Sequence, residues 1–283
     1  MFQGLLPILA CPDCRGKVIE ASERELRCQD CGRSYEVTED GIICMMPSVS
    51  KPLPDAYNDP DYQRMSRHFD DSSAYFTDGN SLFHLIHESA HRKIASWIAS
   101  NPREGWICDI GCGQGYHYRF VKDLSRTIGI DVRLESLRRV RAISNEIPLI
   151  QGDSCALPFQ SGSIAGATSV YTLEHVYYLA EALAETARIL EPTAPFYVGL
   201  PCEGGLAWTL GRKLTSERTM SKRYNVDYRK YIALEHCNTA RRVIAHLGQQ
   251  FKRKDISFFP LPIVPIVDTN LTVALAYSKS ADA

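Results

Sequence analysis

The sequence lacks any apolar run approaching the ~20 residues that a membrane-spanning helix needs. It also lacks an excess of either charge: 32 Lys and Arg side chains face 33 Asp and Glu, which leaves no global positive field to attract nucleic acid. The opening MFQGLLPILA is apolar but short, has no basic start and leads directly into a cysteine cluster, so it is a poor signal peptide. These absences favour a globular, cytoplasmic protein with reduced thiols.

Four of the ten cysteines form two CxxC pairs, Cys11 with Cys14 and Cys28 with Cys31. Each pair places two thiolates on one tight turn, and two such turns complete a tetrahedral S4 site for Zn²⁺. Redox-active CxxC motifs and two disulfides are the alternatives. Gly16 and Gly32 each follow the second cysteine of a pair, where the turn is expected to need a positive φ.

The pattern LLPILACPDCRGKV…LRCQDCGRSYEV…DGI, within residues 4–46, resembles the Trm112-like zinc ribbon. The resemblance implies a structural zinc module or a protein-docking surface. Residues 11 to 40 contain five basic and eight acidic side chains, and this excess of acids argues against RNA binding by the ribbon. We expect a ribbon over 1–46, a proline-rich linker over 47–62 and a main domain over 63–283.

In the main domain, apolar strands alternate with helical patterns. Strands are predicted in GWICDI, RTIGIDV, IPLIQGD, SIAGATSVY and APFYVGLP, and a closing antiparallel pair in DISFFPLPI and NLTVALAYSK. Alternation of this kind predicts an α/β fold with a mainly parallel, seven-stranded sheet covered by helices on both faces. Ligands of such sheets bind at the carboxyl ends of the strands, where the candidate motifs fall.

The loop DIGCGQGYHYRF follows the first strand and begins with an acid, Asp109. A dinucleotide-binding loop would have glycine where Tyr116 stands, and Asp109 would repel a pyrophosphate. The carboxylate suits a cationic ligand such as S-adenosylmethionine (SAM), and Gly111 and Gly113 would let the backbone approach it. Asp131, after the second strand, can accept from ribose hydroxyls, and Asp153, after the third, from the adenine amino group. A NAD-binding or purely structural α/β domain is the alternative.

DIGCGQG, GIDV, QGDSCALPF and TSVYTLEHV, in this order, resemble the class I SAM-dependent methyltransferases of the type 11 group over residues 80–200. The sequence departs from the group at EPTAPFYVGLP, where Pro-Gly-Gly is common before the fifth strand. The resemblance implies a Rossmann-like fold and methyl transfer from SAM. It places the cofactor contacts at Asp109, Gly111, Gly113, Asp131, Asp153, Ser154 and Tyr171.

Two histidines are candidate catalytic bases, since each follows a glutamate: His175 in LEHV and His236 in LEHC. Their alternative roles are packing and capping. Cys202 is a weak candidate nucleophile because its surroundings lack a fuller motif. Four further histidines have no such neighbouring acid pattern and are expected on the surface or on a helix face: His84, His87, His91 and His117.

Residues 202–237 are predicted to form a lid over the methyl donor. From 202 to 231 seven basic residues face three acids, and they alternate with Trp208, Tyr224, Tyr228 and Tyr231. The basic residues are Arg212, Lys213, Arg218, Lys222, Arg223, Arg229 and Lys230. Such a lid suits an anionic acceptor, such as a phosphate-bearing sugar or a lipid-linked group, whereas a solvated helix is the plain alternative.

The sequence is compatible with three functions. The favoured one is a methyltransferase acting on a small molecule or glycan precursor, at oxygen. An RNA methyltransferase is the second, since a ribosomal guanine methyltransferase family also joins a zinc module to this fold, but the near-neutral charge opposes it. The third is a non-catalytic SAM-binding scaffold with a docking ribbon.

Overall fold

A computed structural model describes residues 4–71, 82–214, 217, 220–222 and 227–279. Across those residues, none of the helices combines the length and the apolar character that crossing a membrane requires.

The ribbon is a small antiparallel sheet followed by one separate strand. Its strands are β1 (Val18–Ser22), β2 (Glu25–Cys28) and β3 (Ser34–Glu36), paired in the order β1-β2-β3. The separate strand, β4 (Ile43–Cys44), leaves the ribbon and joins the main sheet.

The main sheet has eight strands. Those of the main domain are β5 (Ile107–Ile110), β6 (Thr127–Asp131), β7 (Leu149–Gln151), β8 (Gly166–Val170), β9 (Pro195–Pro201), β10 (Phe251–Phe259) and β11 (Thr272–Lys279). Their order is β10-β11-β9-β8-β5-β6-β7-β4. All neighbouring strands are parallel except β11, which runs antiparallel to both β9 and β10. The seven predicted strands, which include the closing antiparallel pair, are therefore confirmed, and β4 adds an eighth strand to the sheet.

The helices surround this sheet. Their bounds are α1 (Pro60–Asp71), α2 (Leu82–Ser100), α3 (Leu134–Ile143), α4 (Leu179–Ile189), α5 (Leu206–Leu214), α6 (Tyr228–Glu235) and α7 (Ala240–Gln250). Burial at helical spacing explains α4, in which Leu179, Ala182, Leu183 and Thr186 are buried. Side-chain caps begin the last two helices: Asp227 accepts from two backbone N–H groups of α6, and Thr239 accepts from one of α7.

The ribbon and the main domain share one hydrophobic core. Leu9, Leu26 and Tyr35 of the ribbon belong to the same buried cluster as the central strands β5, β6 and β8. Backbone hydrogen bonds continue this contact: Gln160 N donates to Ile8 O at 2.7 Å, and Met45 N donates to Gln151 O at 2.8 Å. The sequence predicted a proline-rich linker between the ribbon and the main domain. In the structure the segment that follows the ribbon sheet also adds a strand, β4, to the edge of the main sheet.

The parallel strands bring the predicted motifs to one edge. β5, β6, β7 and β8 all run in the same direction, so their carboxyl ends meet there. Strand order reverses beside β5, because β6 lies on one side of it and β8 on the other. A ligand-binding crevice is expected at such a switch point.

Candidate functional site

The glycine loop after β5 is held in left-handed backbone conformations. φ is +74° at Gly111, +53° at Gly113 and +76° at Gly115. A Cβ atom at Gly111 would lie 2.1 Å from the side chain of Thr172, so this glycine is required by close packing. Gly113 has no atom within 4 Å of where its Cβ would be, which leaves space for a ligand beside the backbone.

Asp109 lies in β5 directly before this loop, and its side chain is buried. Its Oδ1 accepts from Thr168 Oγ1 at 2.6 Å, while its buried Oδ2 has no hydrogen-bond partner among the described residues. Burial raises the pKa of the Asp109 carboxyl to about 6, against the lowering effect of the Thr168 hydrogen bond. An unsatisfied buried carboxylate oxygen is costly, and a cationic donor would relieve that cost.

Asp131 ties the loops together. Its Oδ2 accepts from Gly113 N at 2.9 Å, and its Oδ1 accepts from Arg133 N at 2.9 Å. Its carbonyl oxygen accepts from Gly152 N at 3.0 Å, which connects the third loop. An ionised carboxylate offers about four acceptor sites, so capacity for further hydrogen bonds remains after these two contacts.

The other predicted cofactor residues lie on the neighbouring loops. Asp153 and Ser154 are half-buried in the turn after β7, where Asp153 Oδ1 accepts from Cys155 N at 2.8 Å. Tyr171 follows β8 with φ +56°, an uncommon conformation for a bulky residue. Its hydroxyl donates to His87 O at 3.0 Å and its ring stacks on His87, so the side chain is fixed against α2.

The two candidate bases meet at the same edge. The rings of His175 and His236 pack edge to face with centroids 4.8 Å apart. His175 Nδ1 lies 2.9 Å from Glu235 O and 3.3 Å from Glu235 Oε1. Burial works against the charged imidazolium, but the contacts with Glu235 and Glu174 outweigh it and raise the pKa of His175.

His236 has a carboxylate partner that sequence reasoning missed. Its Nδ1 lies 3.0 Å from Oε2 of Glu203, which follows β9. Glu203 also accepts from Trp208 Nε1 at 2.6 Å and from Arg212 at 3.1 Å. Burial acts to raise the pKa of Glu203, but the His236 hydrogen bond and the nearby cations lower it overall. A carboxylate on one ring nitrogen fixes the tautomer and leaves Nε2 to act.

The predicted basic lid is largely neutralised. Arg212 pairs with Glu203, Arg229 with Glu217 and Lys230 with Asp59. Lys213 and Lys222 are exposed. Arg218, Arg223 and Tyr224 lie outside the described residues. The described part of the lid therefore presents fewer free cations than the sequence suggested.

Two of the histidines expected on the surface or on a helix face are buried. His91 of α2 and His117 of the glycine loop are almost fully buried, with their Nδ1 atoms 3.2 Å apart. Aromatic rings enclose them, including Tyr116 and Phe120. His91 does lie on a helix face, as expected, but neither ring is on the surface because both pack between α2 and the loop. The spacing of His91 and the buried Ile94 on one helix face was a signal for this.

The four ribbon cysteines converge as predicted. Their Sγ atoms all lie within 4.8 Å of one another, with Cys11–Cys31 at 3.7 Å and Cys14–Cys28 at 3.4 Å. Tetrahedral Zn²⁺ with thiolate bonds of about 2.3 Å needs sulfur atoms roughly 3.8 Å apart, so the donor set fits zinc. All ten cysteines of the chain are free thiols.

The turns around these cysteines differ in detail from the expectation. Gly32 has φ +76° as predicted. In the first turn the left-handed residue is Arg15, with φ +65°, and not Gly16. Gly16 is needed for another reason, because a Cβ there would lie 2.4 Å from the Asp30 side chain.

Comparison with known proteins agrees with this geometry. A family described as a methyltransferase domain matches residues 108–198, and a family described as Trm112p-like protein matches residues 3–40. A probable S-adenosylmethionine-dependent methyltransferase of Mycolicibacterium smegmatis is 27% identical over 116 residues, which are 41% of this chain and 44% of that protein. A UPF0434 protein of Coxiella burnetii is 43% identical over 54 residues, 19% of this chain and 95% of its own length.

Solved structures share the fold. A Burkholderia thailandensis 1,6-didemethyltoxoflavin-N1-methyltransferase superposes with a TM-score of 0.51 at 13% identity, covering 93% of this chain and 99% of that one. At such identity the likeness concerns the fold alone. The chain spans between 31% and 44% of the length of the first curated relatives it matches.

Residues 108–198 therefore form a methyltransferase domain of the type 11 group, and residues 3–40 a Trm112-like domain. The main domain has the Rossmann-like fold of SAM-dependent methyltransferases.

The buried histidine pair predicts a loss of stability in acid. Burial lowers the pKa of His117 to about 4 from its usual 6.5. Burial, together with the neighbouring His117 and His87, also lowers the pKa of His91 well below its usual value. Between these values the unfolded chain binds more protons than the folded one, so stability falls as pH drops from about 6.5 towards 4. For His117 the loss is roughly 3 kcal/mol.

Denaturant unfolding at pH 8 and at pH 5 measures this effect. His117→Phe, which cannot be protonated, is expected to show a smaller difference between the two pH values than the parent. Equal differences for both proteins would contradict the assignment.

Proposed function

We propose that the protein is an enzyme that transfers the methyl group of SAM to a hydroxyl of a small-molecule acceptor. The observation that carries this proposal is the buried Asp109 Oδ2, which lacks a partner beside the open backbone of Gly113. A buried carboxylate with one unsatisfied oxygen, close to an open stretch of backbone, suits a compact cation. When bound, SAM supplies an electrophilic methyl group on a sulfonium centre.

Each predicted contact has a proposed role. Asp109 Oδ2 accepts from the ammonium group of the methionine portion, and Gly111 and Gly113 provide its close backbone neighbours. The acceptor sites left on Asp131 bind the ribose hydroxyls. Asp153, with Ser154, binds the adenine side, since the Gly152 hydrogen bond places their loop next to Asp131. The side chain of Tyr171 packs against α2, and the proposed contribution of this residue is its backbone, which the hydrogen bond from Thr172 Oγ1 to Gly111 O at 3.0 Å holds beside the glycine loop.

His236 is the proposed general base. Glu203 holds the Nδ1 side of the ring, so Nε2 can take the proton of an acceptor hydroxyl. His175 suits a different role: its raised pKa makes it a better hydrogen-bond donor, which can orient the acceptor oxygen. In-line positioning supplies most of the rate in methyl transfer, and the base contributes in addition.

The acceptor is a small molecule, and the case for a negatively charged one is weaker than the sequence suggested. Arg212, Arg229 and Lys230 are engaged by carboxylates, so they offer less attraction for a phosphate. The acidic ribbon and near-neutral charge also disfavour RNA. A sugar-containing or phenolic hydroxyl acceptor fits the histidine pair.

We further propose that Cys11, Cys14, Cys28 and Cys31 bind a structural Zn²⁺. The sulfur geometry supports this, and so does the small size of the ribbon, which has little core of its own. Its role is then to anchor β4 on the main sheet, with any docking of other proteins as an additional function.

The cofactor site can be tested by calorimetry. Asp131→Ala is expected to lower the affinity for SAM by about 1.5–3 kcal/mol, the scale for hydrogen bonds to a charged group. Glu135→Ala, which removes an exposed carboxylate close by on α3, is the matched control and is expected to bind like the parent. If the parent binds NADH but not SAM or adenosylhomocysteine, the cofactor assignment is wrong. An absence of heat with all of these ligands would also contradict the cofactor site, whereas SAM binding without turnover of any acceptor would support the scaffold alternative.

The base can be tested by turnover. Production of adenosylhomocysteine is measured with a panel of catechols, hydroxybenzoates and sugar phosphates, and kcat is determined on the best acceptor. His236→Gln is expected to lower kcat by about 10²–10⁴-fold with little change in SAM affinity. His246→Gln, a histidine of α7 away from the cluster, is expected to retain activity. Full activity of His236→Gln would remove the histidine from the mechanism.

The zinc site can be tested by metal content and unfolding. One Zn²⁺ per chain is expected, and Cys14→Ser is expected to lower its occupancy and the midpoint of thermal unfolding. Because the ribbon shares the main core, the whole chain is expected to unfold in one transition. Cys237→Ser lies outside the ribbon and is expected to retain the metal. Survival of a folded, SAM-binding main domain after the ribbon has melted would refute the coupling.

A further inference from the structure

Exposed aliphatic side chains are concentrated in two segments of the protein. Seven of the thirteen large hydrophobic residues that are exposed in the described chain lie on α5 and in the loop between β10 and β11. They are Leu206, Leu210, Leu214, Leu261, Ile263, Val264 and Ile266, with exposed fractions between 37% and 89%. We call this set the apolar face. Exposed apolar residues scattered singly need no explanation, but a concentration of this kind indicates a binding surface.

Helix α5 turns its leucines outward. Leu206, Leu210 and Leu214 follow one another at intervals of four residues, so they share one side of the helix. Trp208 and Arg212 anchor another side, since both donate to the buried Glu203. The helix is therefore oriented by polar contacts on its inner side and leaves an apolar stripe outside.

The β10–β11 loop is likewise held by polar contacts on its inner side and carries aliphatic side chains on its outer side. The buried Asn270 accepts from Leu261 N at 2.7 Å and donates to Val264 O at 2.8 Å and to Ile266 O at 3.0 Å. These bonds satisfy the loop backbone internally and fix its shape. The aliphatic side chains of Leu261, Ile263, Val264 and Ile266 extend outward from this fixed backbone.

The two segments contact each other. Leu206 N donates to Asp268 Oδ1 at 3.3 Å, and Gly205 lies directly against the backbone of Val267. Thr272 pairs with Pro201, so the loop before β11 emerges at the carboxyl edge of the sheet. The apolar face thus borders the side of the site where His236 and Glu203 lie.

The charge of this face favours an anionic partner. Residues 206–214 and the loop 260–271 contain two cations, Arg212 and Lys213, and one acid, Asp268, which is paired with Arg241. Arg212 is paired with Glu203, while Lys213 is exposed at the end of the leucine stripe.

We propose that the apolar face docks on a bilayer containing anionic phospholipid. The aliphatic side chains enter the boundary between headgroups and acyl chains, and Lys213 contacts the lipid phosphates. Aliphatic burial and attraction to anionic lipid together are the two contributions that hold peripheral proteins at a membrane surface. The proposal does not depend on the methyl-transfer chemistry.

Sedimentation of the full-length protein with lipid vesicles tests this docking. The probes are vesicles of phosphatidylcholine alone and of phosphatidylcholine mixed with phosphatidylglycerol, and stronger binding to the mixed vesicles is expected. The double variant Leu210→Gln/Ile263→Gln is expected to lower the partition coefficient at least about tenfold, because two exposed aliphatic groups no longer enter the bilayer. Lys213→Glu is expected to remove the preference for the anionic vesicles.

The matched control is Val49→Gln/Ile143→Gln, which changes two exposed aliphatic residues elsewhere and is expected to bind like the parent. Circular dichroism confirms that each variant is folded. Three results would overturn the proposal: no binding to either vesicle, equal losses in both double variants, or a parent dimer that Leu210→Gln/Ile263→Gln converts to a monomer. The last result would assign the face to a second copy of the chain.

Discussion

The carboxylate of Asp131 connects the loops on which the site depends. It accepts backbone N–H groups from the glycine loop and from the start of α3, and its own carbonyl accepts from Gly152. Three loops from three strands are thereby fixed relative to one another before any ligand arrives. Thr172 adds a fourth loop through its hydrogen bond to Gly111. Preorganisation of this kind reduces the ordering that a ligand must bring about on binding.

The ribbon is an integral part of this architecture. β4 extends the sheet beyond β7, and ribbon side chains complete the core under the central strands. The strand that carries Gln151, and the loop after it with Asp153, are therefore braced from the ribbon side. Through β4 and β7, the proposed zinc site would in this way influence the proposed adenine side of the crevice.

The features that could be predicted from the sequence were local. The two CxxC turns, the succession of strands along the chain and the acids at the strand ends could be predicted because each depends on a pattern within a few residues. Contacts between distant residues could not. The Glu203–His236 pair joins positions 33 residues apart, and β4 meets β7 across more than a hundred residues. Charge counting failed for the lid because a count does not show which charges pair. Arg212 and Arg229 pair with Glu203 and Glu217 inside the counted stretch, and Lys230 pairs with the distant Asp59.

The two edges of the main sheet are closed in different ways. On one side β4 covers β7. On the other, β10 is irregular between Arg253 and Asp255 and carries Lys252, Arg253 and Lys254 in succession. Charged and irregular edges resist pairing with foreign strands, whereas a bare regular edge invites it. Proteolytic loss of the first 46 residues would remove β4 and leave β7 as an unpaired edge strand. Such an edge can pair with other chains, so the intact amino-terminal segment is expected to protect the protein against aggregation.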